Sequence, residues 1–348
     1  MQKIIQSQSL NRDLTAAISE CEHDRVFILA DETTAQACLP MISGFRCLRD
    51  AMTITVPQGD THKDIQSLAA IWQQLSQHGA TRHSLLINLG GGMITDLGGF
   101  AAATFKRGID FINIPTTLLA MVDASVGGKT GMNFCGLKNE VGAFCDARYV
   151  ILSTQFLKTL DSENLRSGYA EMLKHSLISD TPLWAEHVTY DLAQPDLVQL
   201  QRMVAKSVEI KQNIVRQDPR EQGLRKALNL GHTIGHAFES YAMSQGNPVL
   251  HGYAVAYGII CELYLSAVKT AFPTDKLRQT VSFIRENYGK MAITCDDYPV
   301  LLDLMRHDKK NTAGSINFTL LADIGDIRIN QTATEEEIKE ALDFYREG

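Results

Sequence analysis

The sequence predicts an α/β domain at the amino terminus followed by a mainly α-helical domain. Over roughly the first 150 residues, short apolar runs alternate with helical patterns, which is typical of a parallel sheet covered by helices. After about residue 153 long helical periodicities dominate, and only Ile316–Leu321 still resembles a strand. A chain of 348 residues is also long for one hydrophobic core. We therefore predict two domains, residues 1–152 and 153–348.

The apolar runs predict buried strands in the first domain, and the longer amphipathic patterns predict helices. Ligands of open parallel sheets bind beyond the carboxyl ends of the strands, where Asp31 and the glycines at 90–92 fall. The segment TATEEE has the pattern of a capping box that opens a last helix. The predicted strands are Val26–Ala30, Met52–Val56, Leu85–Leu89 and Phe111–Ile114. The predicted helices are Ile65–His78, Ile94–Phe105, Glu163–Ile178, Leu197–Arg216, Arg225–Ala242, Tyr253–Ala271, Thr274–Asn287 and Glu335–Tyr345.

Composition excludes several classes of partner. The net charge of −7 argues against nucleic acid as the main partner, because binding its phosphates requires a basic face. No apolar stretch reaches the roughly 18 residues that a membrane helix needs. The first residues contain no apolar signal region, and the seven cysteines are scattered without a CxxC pair. We therefore predict a cytoplasmic protein with free thiols and a small-molecule substrate.

A glycine-rich turn, GGGMITD, follows a predicted strand and opens a helix. Glycines allow the backbone to approach a pyrophosphate closely, and the helix N-terminus supplies amide donors. The spacing is not GxGxxG, so the alternative is a tight turn whose glycines need positive φ. Asp96, which ends this segment, either binds a hydroxyl group or favours the first turn of the helix.

Polar and cationic side chains are concentrated in the following segments, FKRG, PTT, DASVGGKTG and LKN. GGKT resembles a phosphate-binding P-loop, but the first glycine of GxxxxGK[ST] is missing and the strand context is wrong. A cationic loop around an anionic ligand explains the cluster better than a solvated surface loop does. The residues concerned are Arg107, Asp123, Lys129, Lys138 and Asn139.

Histidines and glutamates with the spacing of a metal site occur in the second half of the chain. His232 and His236 lie four residues apart and share a helix face with Glu239. His251 follows in LHGYAV, and Glu171 precedes them in SGYAEMLKH. Two imidazoles and one carboxylate suit a catalytic zinc site. The alternative is a chance HxxxH pair on the surface or in the core, and the spacing leaves open which of the pair binds metal.

Taken together, these motifs resemble those of the 3-dehydroquinate synthases and related sugar phosphate cyclases. The resemblance lies in GGGMITDLGGFAAATFKRG, INIPTTLLAMVDASVGGKTGMN, LKNEVGAF, SGYAEMLK and LRKALNLGHTIGHAFE, in the family's order. It implies a nucleotide-binding α/β domain, a helical domain, an active site in the cleft between them, and a homodimer. Two departures are Asp60, where a glutamate is common, and Tyr253, where HGEAV is usual.

The resemblance also implies roles for individual residues. It selects Glu171, His232 and His251 as the metal ligands, with zinc or cobalt as the ion. Positions that match catalytic residues are His236, Lys129, Lys174, Arg107 and Asn139; in some relatives this arginine serves the neighbouring subunit. Positions that match substrate-binding residues are Lys138, Lys211, Arg225, Asn229, Lys309 and Lys310. Positions that match NAD-binding residues are Asp31, Asp60, Lys63, Gly91, Gly92, Asp96, Thr116, Thr117 and Asp123.

The implied activity converts 3-deoxy-D-arabino-heptulosonate 7-phosphate to 3-dehydroquinate and phosphate, in the shikimate pathway, with NAD used catalytically. One alternative is a sister cyclase that makes aminodehydroquinate, 2-deoxy-scyllo-inosose or a valiolone; Lys211, Arg225 and Asn229 together favour the dehydroquinate type. Another is a metal-dependent polyol dehydrogenase, which would not need so many cationic residues. The third is a catalytically silent NAD-binding or regulatory protein, and the intact set of ligand and acid/base positions argues against it.

Overall fold

The computed structural model describes residues 2–307 and 316–348, and these form two compact units. Unit 1 comprises the described residues of Met1–Asp161 together with Leu197–Val208. Unit 2 comprises Ser162–Asp196 and the described residues of Glu209–Gly348. The predicted domain boundary between residues 152 and 153 stays a prediction.

Unit 1 is built on a parallel sheet of six strands. In chain order the strands of this unit are β1 (Lys3–Gln6), β2 (Val26–Asp31), β3 (Met52–Val56), β4 (Leu85–Gly90), β5 (Asp110–Pro115), β6 (Lys129–Phe134), β7 (Leu137–Phe144) and β8 (Tyr149–Leu152). The sheet has the order β1-β8-β5-β4-β2-β3, while β6 and β7 form a separate antiparallel hairpin. The helices are α1 (Leu10–Ser19), α2 (Glu32–Ala37), α3 (Ile65–Gln77) and α4 (Gly92–Thr104).

The predicted α/β character of this unit is confirmed, and the predicted strands correspond to β2, β3, β4 and β5 within one residue at each end. All six residues of β4 are buried, as expected for a strand inside a parallel sheet. Strands β1 and β8, with four residues each, were not predicted. The hairpin of β6 and β7 was not predicted, because β7 is exposed or half-buried along its length and so has no apolar run.

Unit 2 is mainly helical, as predicted. Its helices are α5 (Ser162–Leu177), α6 (Thr181–Val188), the second half of α7 (Leu197–Gln217), α8 (His232–Ser244), α9 (His251–Thr270), α10 (Thr274–Tyr288), α11 (Tyr298–Arg306) and α12 (Glu335–Glu347). An antiparallel hairpin joins β9 (Asn317–Asp323) to β10 (Asp326–Thr332). Before α12, the predicted capping box is confirmed, since Thr334 Oγ1 accepts from the amide of Glu337.

One predicted helix is wrong. The pattern Arg225–Ala242 is not continuous, because a 3₁₀ turn at Leu224–Asn229 precedes α8 and Gly231 between them has a φ of 78°. A residue in the left-handed region cannot continue a right-handed helix. The break makes His232 the first residue of α8.

Two further sequence predictions can be compared with the structure. All seven cysteines are free thiols, as predicted. Within the described ranges, no helix is both long and apolar enough to span a bilayer.

A buried hydrogen bond joins α6 to α10. Trp184 Nε1 donates to Thr280 Oγ1 at 3.0 Å, and both side chains are buried. Replacing Thr280 with valine keeps the shape but leaves the indole N–H without its acceptor. We expect Thr280→Val to lower the free energy of unfolding by about 1–3 kcal/mol.

Urea denaturation followed by Trp184 fluorescence, in a Trp72→Phe background, measures this change. Thr189→Val is the matched control, because its hydroxyl is exposed and donates to Ala185 O. We expect the control to change stability by no more than about 0.5 kcal/mol. Equal midpoints for the two variants would show that the buried bond contributes nothing.

Candidate active site

Helices α5, α8 and α9 bring together the three side chains that were predicted to bind metal. Glu171 lies in the middle of α5, His232 is the first residue of α8, and His251 is the first residue of α9. One ligand atom from each of the three lies within 4.8 Å of the other two. His232 and His251 follow Glu171 by 61 and 80 positions in the sequence, and the three residues thus form one cluster of donors.

The histidine rings direct their Nε2 atoms at the same carboxylate oxygen. The Nε2 atoms of His232 and His251 each lie 3.4 Å from Glu171 Oε1. The Nδ1 atom of His232 lies 3.0 Å from the carbonyl of Leu230, and that of His251 lies 3.2 Å from Glu239 Oε2. Because these partners only accept, each Nδ1 carries a proton, and a neutral ring then presents the lone pair of Nε2 to Glu171.

When both rings are neutral, this arrangement leaves electron pairs facing one another. Glu171 Oε1 is buried and accepts no hydrogen bond from any described residue. Two imidazole nitrogens and one carboxylate oxygen around a common point are satisfied by a cation, and zinc takes such a donor set. In metal sites the second ring nitrogen of a histidine usually donates to a carboxylate or carbonyl, as both rings do here. The residues therefore fit a divalent ion.

The electrostatics of the cluster agree with this fit. Burial opposes the charge on Glu171, but Lys174 and His232 outweigh it and hold the pKa of this carboxyl well below its usual range. Lys174 Nζ forms an ion pair with Glu171 Oε2, and both side chains are buried. Burial lowers the pKa of His251, yet the adjacent carboxylates of Glu171 and Glu239 raise it to about 10, so the ring itself carries the positive charge when no cation is bound. The cluster thus stabilises positive charge at its centre.

Glycines allow the three helices to come this close. A Cβ atom on Gly252 would lie 1.8 Å from Ser167 O on α5. One on Gly235 of α8 would lie 2.8 Å from Ala254 O on α9, and one on Gly258 of α9 would lie 2.0 Å from Gly231 O. Cβ atoms essentially never approach so closely. The backbones therefore touch, and the separation of the donors follows from that contact.

His236 lies beside the cluster rather than between its donors. Its ring centroid is 5.3 Å from that of His232 and 5.9 Å from that of His251. Glu239 follows one turn later on α8 and contacts His251. The reading of His232 and His236 as a chance surface pair is wrong, since His232 is only 9% exposed and packs against the other two rings.

In unit 1, Lys63 joins two groups of predicted residues. Its side chain is 4% exposed, and its Nζ lies 2.5 Å from both Asp96 Oδ2 and Asn139 Oδ1. Asn133 makes a second link, because it donates to Asp60 O at 2.9 Å and accepts from the amide of Asn139 at 2.9 Å. The predicted NAD-binding turn is therefore tied to the hairpin of β6 and β7. Lys138 pairs with Asp60 at 3.5 Å, and Lys129 begins β6.

The glycine turn packs tightly without positive φ. None of the glycines at 90–92 has a positive φ. The alternative explanation, a tight turn whose glycines need positive φ, is therefore wrong. Gly91 is the N-cap of α4, and a Cβ atom there would lie 3.1 Å from Thr117 Cγ2. A Cβ atom on Gly92 would lie 3.2 Å from Ala124. Close approach is thus the reason for these glycines.

The segment against the glycine turn carries other predicted NAD-binding residues. Thr116 is buried and its amide donates to Gly90 O at 3.0 Å, while Asp123 lies in a π-helical turn, a feature frequent at functional sites. Asp31 ends β2, and its side chain accepts from the amide of Thr34 at 2.8 Å as the N-cap of α2.

Arg107 lies on a strained turn before β5. Lys106 and Arg107 have φ values of 49° and 71°, which non-glycine residues rarely adopt. Strain of this kind clusters at ligand-binding sites. Both residues line a cavity of about 620 Å³ together with Ala80, Thr81, Arg82 and Gly108.

The predicted substrate-binding residues of unit 2 are held by a loop before α8. Arg225 is buried and donates from Nη1 to Pro219 O at 2.7 Å. Asn229 donates to Glu221 Oε1 at 2.9 Å, and Glu221 itself has a φ of 59°. Lys211 is buried on α7. Lys309 and Lys310 lie outside the described residues.

Burial separates these cations from ordinary surface charges. Among residues 2–307 and 316–348, the buried lysine and arginine side chains all belong to the predicted site residues. A cation is costly to bury unless an anion accompanies it. Lys63 is paired with Asp96 and Lys174 with Glu171, so the pattern marks the predicted site positions as the places where positive charge is buried. The four are Lys63, Lys174, Lys211 and Arg225.

Sequence reasoning missed several residues that hold the site. The sequence pattern placed Glu239 on the correct helix face, but no role was predicted for it. Its position one turn after His236 was the signal that could have indicated one. Asn133 and Glu221 carried no signal, because a lone polar residue in a loop has many explanations. Glu262 did carry one, as the sole charged residue between His251 and Lys269 in an apolar helix.

Comparisons with known proteins cover the whole chain. A family model described as 3-dehydroquinate synthase N-terminal matches residues 53–167, and one described as 3-dehydroquinate synthase C-terminal matches residues 168–311. A curated 3-dehydroquinate synthase of Parabacteroides distasonis is 52% identical over 347 residues, which cover 100% of this chain and 98% of the relative. This chain belongs to the 3-dehydroquinate synthase family. The resemblance found in the sequence is confirmed.

Solved structures agree with the fold of this family. A 2-epi-5-epi-valiolone synthase from Streptomyces hygroscopicus, with NAD⁺ and Zn²⁺ bound, has a TM-score of 0.87 at 23% identity and covers 100% of this chain and 97% of its own. A 2-deoxy-scyllo-inosose synthase complexed with carbaglucose-6-phosphate, NAD⁺ and Co²⁺ has a TM-score of 0.86 at 21% identity, with coverages of 99% and 96%. The predicted fold class is confirmed.

The contact of Gly252 with α5 generates a stability prediction. A methyl group at this position would meet Ser167 O at 1.8 Å, so the two helices would have to separate. We expect Gly252→Ala to lower the free energy of unfolding by about 1–3 kcal/mol through overpacking.

Urea denaturation of the full chain checks this expectation. Gly44→Ala is the control, because a Cβ atom there has no neighbour within 4 Å. The control is expected to stay within about 0.5 kcal/mol of the parent. A Gly252→Ala protein as stable as the control would contradict the close helix contact.

Proposed function

We propose that this chain converts 3-deoxy-D-arabino-heptulosonate 7-phosphate to 3-dehydroquinate and phosphate, as the resemblance to its family implies. The observation that carries the proposal is the set of four buried cations, all of them at predicted site positions. Such a concentration of positive charge favours the binding of a substrate with both a carboxylate and a phosphate. The identity of 52% over the full chain with a 3-dehydroquinate synthase supports the same reaction.

The proposal assigns a divalent ion to Glu171, His232 and His251. The support is the buried oxygen of Glu171 without a hydrogen-bond donor and the two Nε2 atoms that face it. An ion bound there polarises a substrate hydroxyl and stabilises negative charge that develops on oxygen. Zinc and cobalt are the proposed ions, since the similar cyclases contain Zn²⁺ or Co²⁺.

The proposal assigns NAD to unit 1, with the N-terminus of α4 at the pyrophosphate. Gly91 and Gly92 bring backbone amides to this point and have no side chains of their own to obstruct a pyrophosphate. NAD held by these residues would supply reversible hydride transfer, so no NADH would accumulate. The predicted NAD-binding residues are Asp31, Asp60, Lys63, Gly91, Gly92, Asp96, Thr116, Thr117 and Asp123.

The chain's own side chains bind the anions and move protons. Lys174 is held against Glu171, so its ammonium group has a fixed position from which to stabilise negative charge. His236 stands beside the metal ligands and is the proposed acid/base residue. Arg107, on its strained turn, is a proposed phosphate contact. The other proposed cationic and polar contacts are Lys129, Lys138, Asn139, Lys211, Arg225, Asn229, Lys309 and Lys310.

The remaining sequence predictions stay part of the proposal. They are a division into residues 1–152 and 153–348, a homodimer, and a cytoplasmic location. The seven free thiols are compatible with a reducing compartment. Gel filtration combined with light scattering would measure the number of subunits directly.

A turnover experiment tests the proposed reaction. The zinc- or cobalt-loaded full chain is incubated with 3-deoxy-D-arabino-heptulosonate 7-phosphate and an amount of NAD well below that of the substrate. We expect phosphate and 3-dehydroquinate to form in equal amounts, with no accumulation of NADH. Absorbance at the NADH band, a phosphate assay and product chromatography give the three readouts.

Other outcomes separate the rival functions. Steady NADH formation from a simple polyol, without phosphate release, would indicate a polyol dehydrogenase. Phosphate release only from glucose 6-phosphate or a heptulose 7-phosphate without a carboxylate would indicate a sister cyclase. No turnover of any of these substrates by metal-loaded protein would contradict the proposed function.

Two histidine variants test the division of roles. We expect His251→Ala to lose bound metal, because it removes one of three donors. We expect His236→Ala to keep stoichiometric metal and lose turnover by about 10²–10⁴-fold, the range for general acid–base residues. Metal content by mass spectrometry and the turnover assay measure both. Equal metal content in the two variants would contradict the assignment of His251 as a ligand.

A further inference from the structure

Glu262 is a buried acid at the centre of α9. Its side chain is 0% exposed, and both of its carboxylate oxygens accept hydrogen bonds from main-chain amides. Oε2 accepts from Gly231 at 2.6 Å, while Oε1 accepts from Thr233 at 3.0 Å and from Ile234 at 3.2 Å. All three amides belong to the beginning of α8.

These bonds replace an ordinary helix cap. The first amides of a helix have no partner within the helix, and a side chain of the N-cap residue usually satisfies one of them. The N-cap of α8 is Gly231, which has no side chain. A Cβ atom there would lie 2.5 Å from Ile259 Cγ1 and 2.9 Å from Val255 O, so no capping side chain fits. The cap therefore comes from Glu262, 31 residues further along the chain.

The capped amides flank a proposed metal ligand. His232 lies between Gly231 and Thr233, and the amides of both neighbours are bound to the same carboxylate. The ring of His232 is fixed by its Nδ1 contact with Leu230 O at 3.0 Å. Helix α9 begins with His251 and also contains Glu262. The same helix therefore carries one donor, His251, and anchors the main chain on which the other donor, His232, lies.

We propose that Glu262 is a positioning residue that holds His232 in the orientation required for metal binding. The proposal rests on the proposed function, since it concerns the metal assigned there. Glu262 acts on His232 through the turn at Gly231, whose amide it binds. A purely structural acid would contribute to stability and leave the affinity for metal unchanged, so the two roles can be separated.

Glu262→Gln tests the proposal with little change of shape. The amide has one acceptor and one donor group, so one of the two sets of main-chain amides loses its acceptor and faces an N–H₂ group. The turn around His232 then relaxes. We expect Zn²⁺ affinity to fall by about 10–100-fold, the usual effect of losing a residue that supports a metal ligand.

The measurement is competition of the apo-protein with a chelator of known Zn²⁺ affinity, together with the visible absorption of Co²⁺. We expect the absorption bands of bound Co²⁺ to shift or broaden in Glu262→Gln, because the position of one imidazole changes. Glu262→Asp keeps the charge but shortens its reach by one methylene, and its affinity is expected to be intermediate. If the glutamine variant does not fold, the aspartate variant carries the test.

The control is Thr280→Val, which loses a buried hydrogen bond of unit 2 between α6 and α10. It is expected to be destabilised and to bind Zn²⁺ as the parent does. Parental affinity and Co²⁺ absorption in a folded Glu262 variant would overturn the positioning role. Equal weakening in Thr280→Val would also overturn it, because general destabilisation would then explain the effect. A parent chain that binds no Zn²⁺ would instead contradict the proposed function.

Discussion

Backbone contact between α5, α8 and α9 is the constraint on which the donor cluster depends. Packed helices usually lie 8–10 Å apart because side chains separate them. Here glycines remove that layer, most severely at Gly252, where a methyl group would overlap a carbonyl oxygen of α5. Two of the donors are the first residues of their helices, so the contacts fix where each imidazole begins. The geometry of the cluster is therefore determined first by the packing of the main chain and only then by the donor side chains.

Unit 2 stabilises two buried acids in contrasting ways. Glu262 is satisfied by amides at both oxygens, which is a closed arrangement. Glu171 pairs with Lys174 through one oxygen and leaves the other facing two imidazoles, which is an open one. A protein of net charge −7 also keeps its buried cations at predicted ligand positions. The acid away from the donor cluster is thus fully satisfied by main-chain amides, whereas the acid within the cluster keeps one oxygen without a hydrogen-bond donor.

Sequence patterns predicted the parts of this structure that repeat along the chain. The buried strands and the long helices followed from apolar periodicity, and the family motifs selected His232 over His236. Contacts between residues that are distant in sequence could not be predicted from these patterns. The break at Gly231 depends on Ile259 and Val255 across a helix interface, and the cap from Glu262 depends on the same packing. The hairpin of β6 and β7 lacked an apolar pattern because most of its residues are exposed or half-buried.

The connection between β5 and β8 places many of the predicted site residues in one continuous stretch of chain. These strands are neighbours in the sheet, with Ile112 paired to Tyr149, and the chain between them spans residues 116–148. That stretch contains Thr116, Thr117, Asp123, Lys129, Lys138 and Asn139. Both of its ends are anchored to adjacent strands, and its middle is bonded to Lys63 and Asp60 in the segment after β3. A substitution that shifts this stretch therefore displaces several of the predicted site residues together.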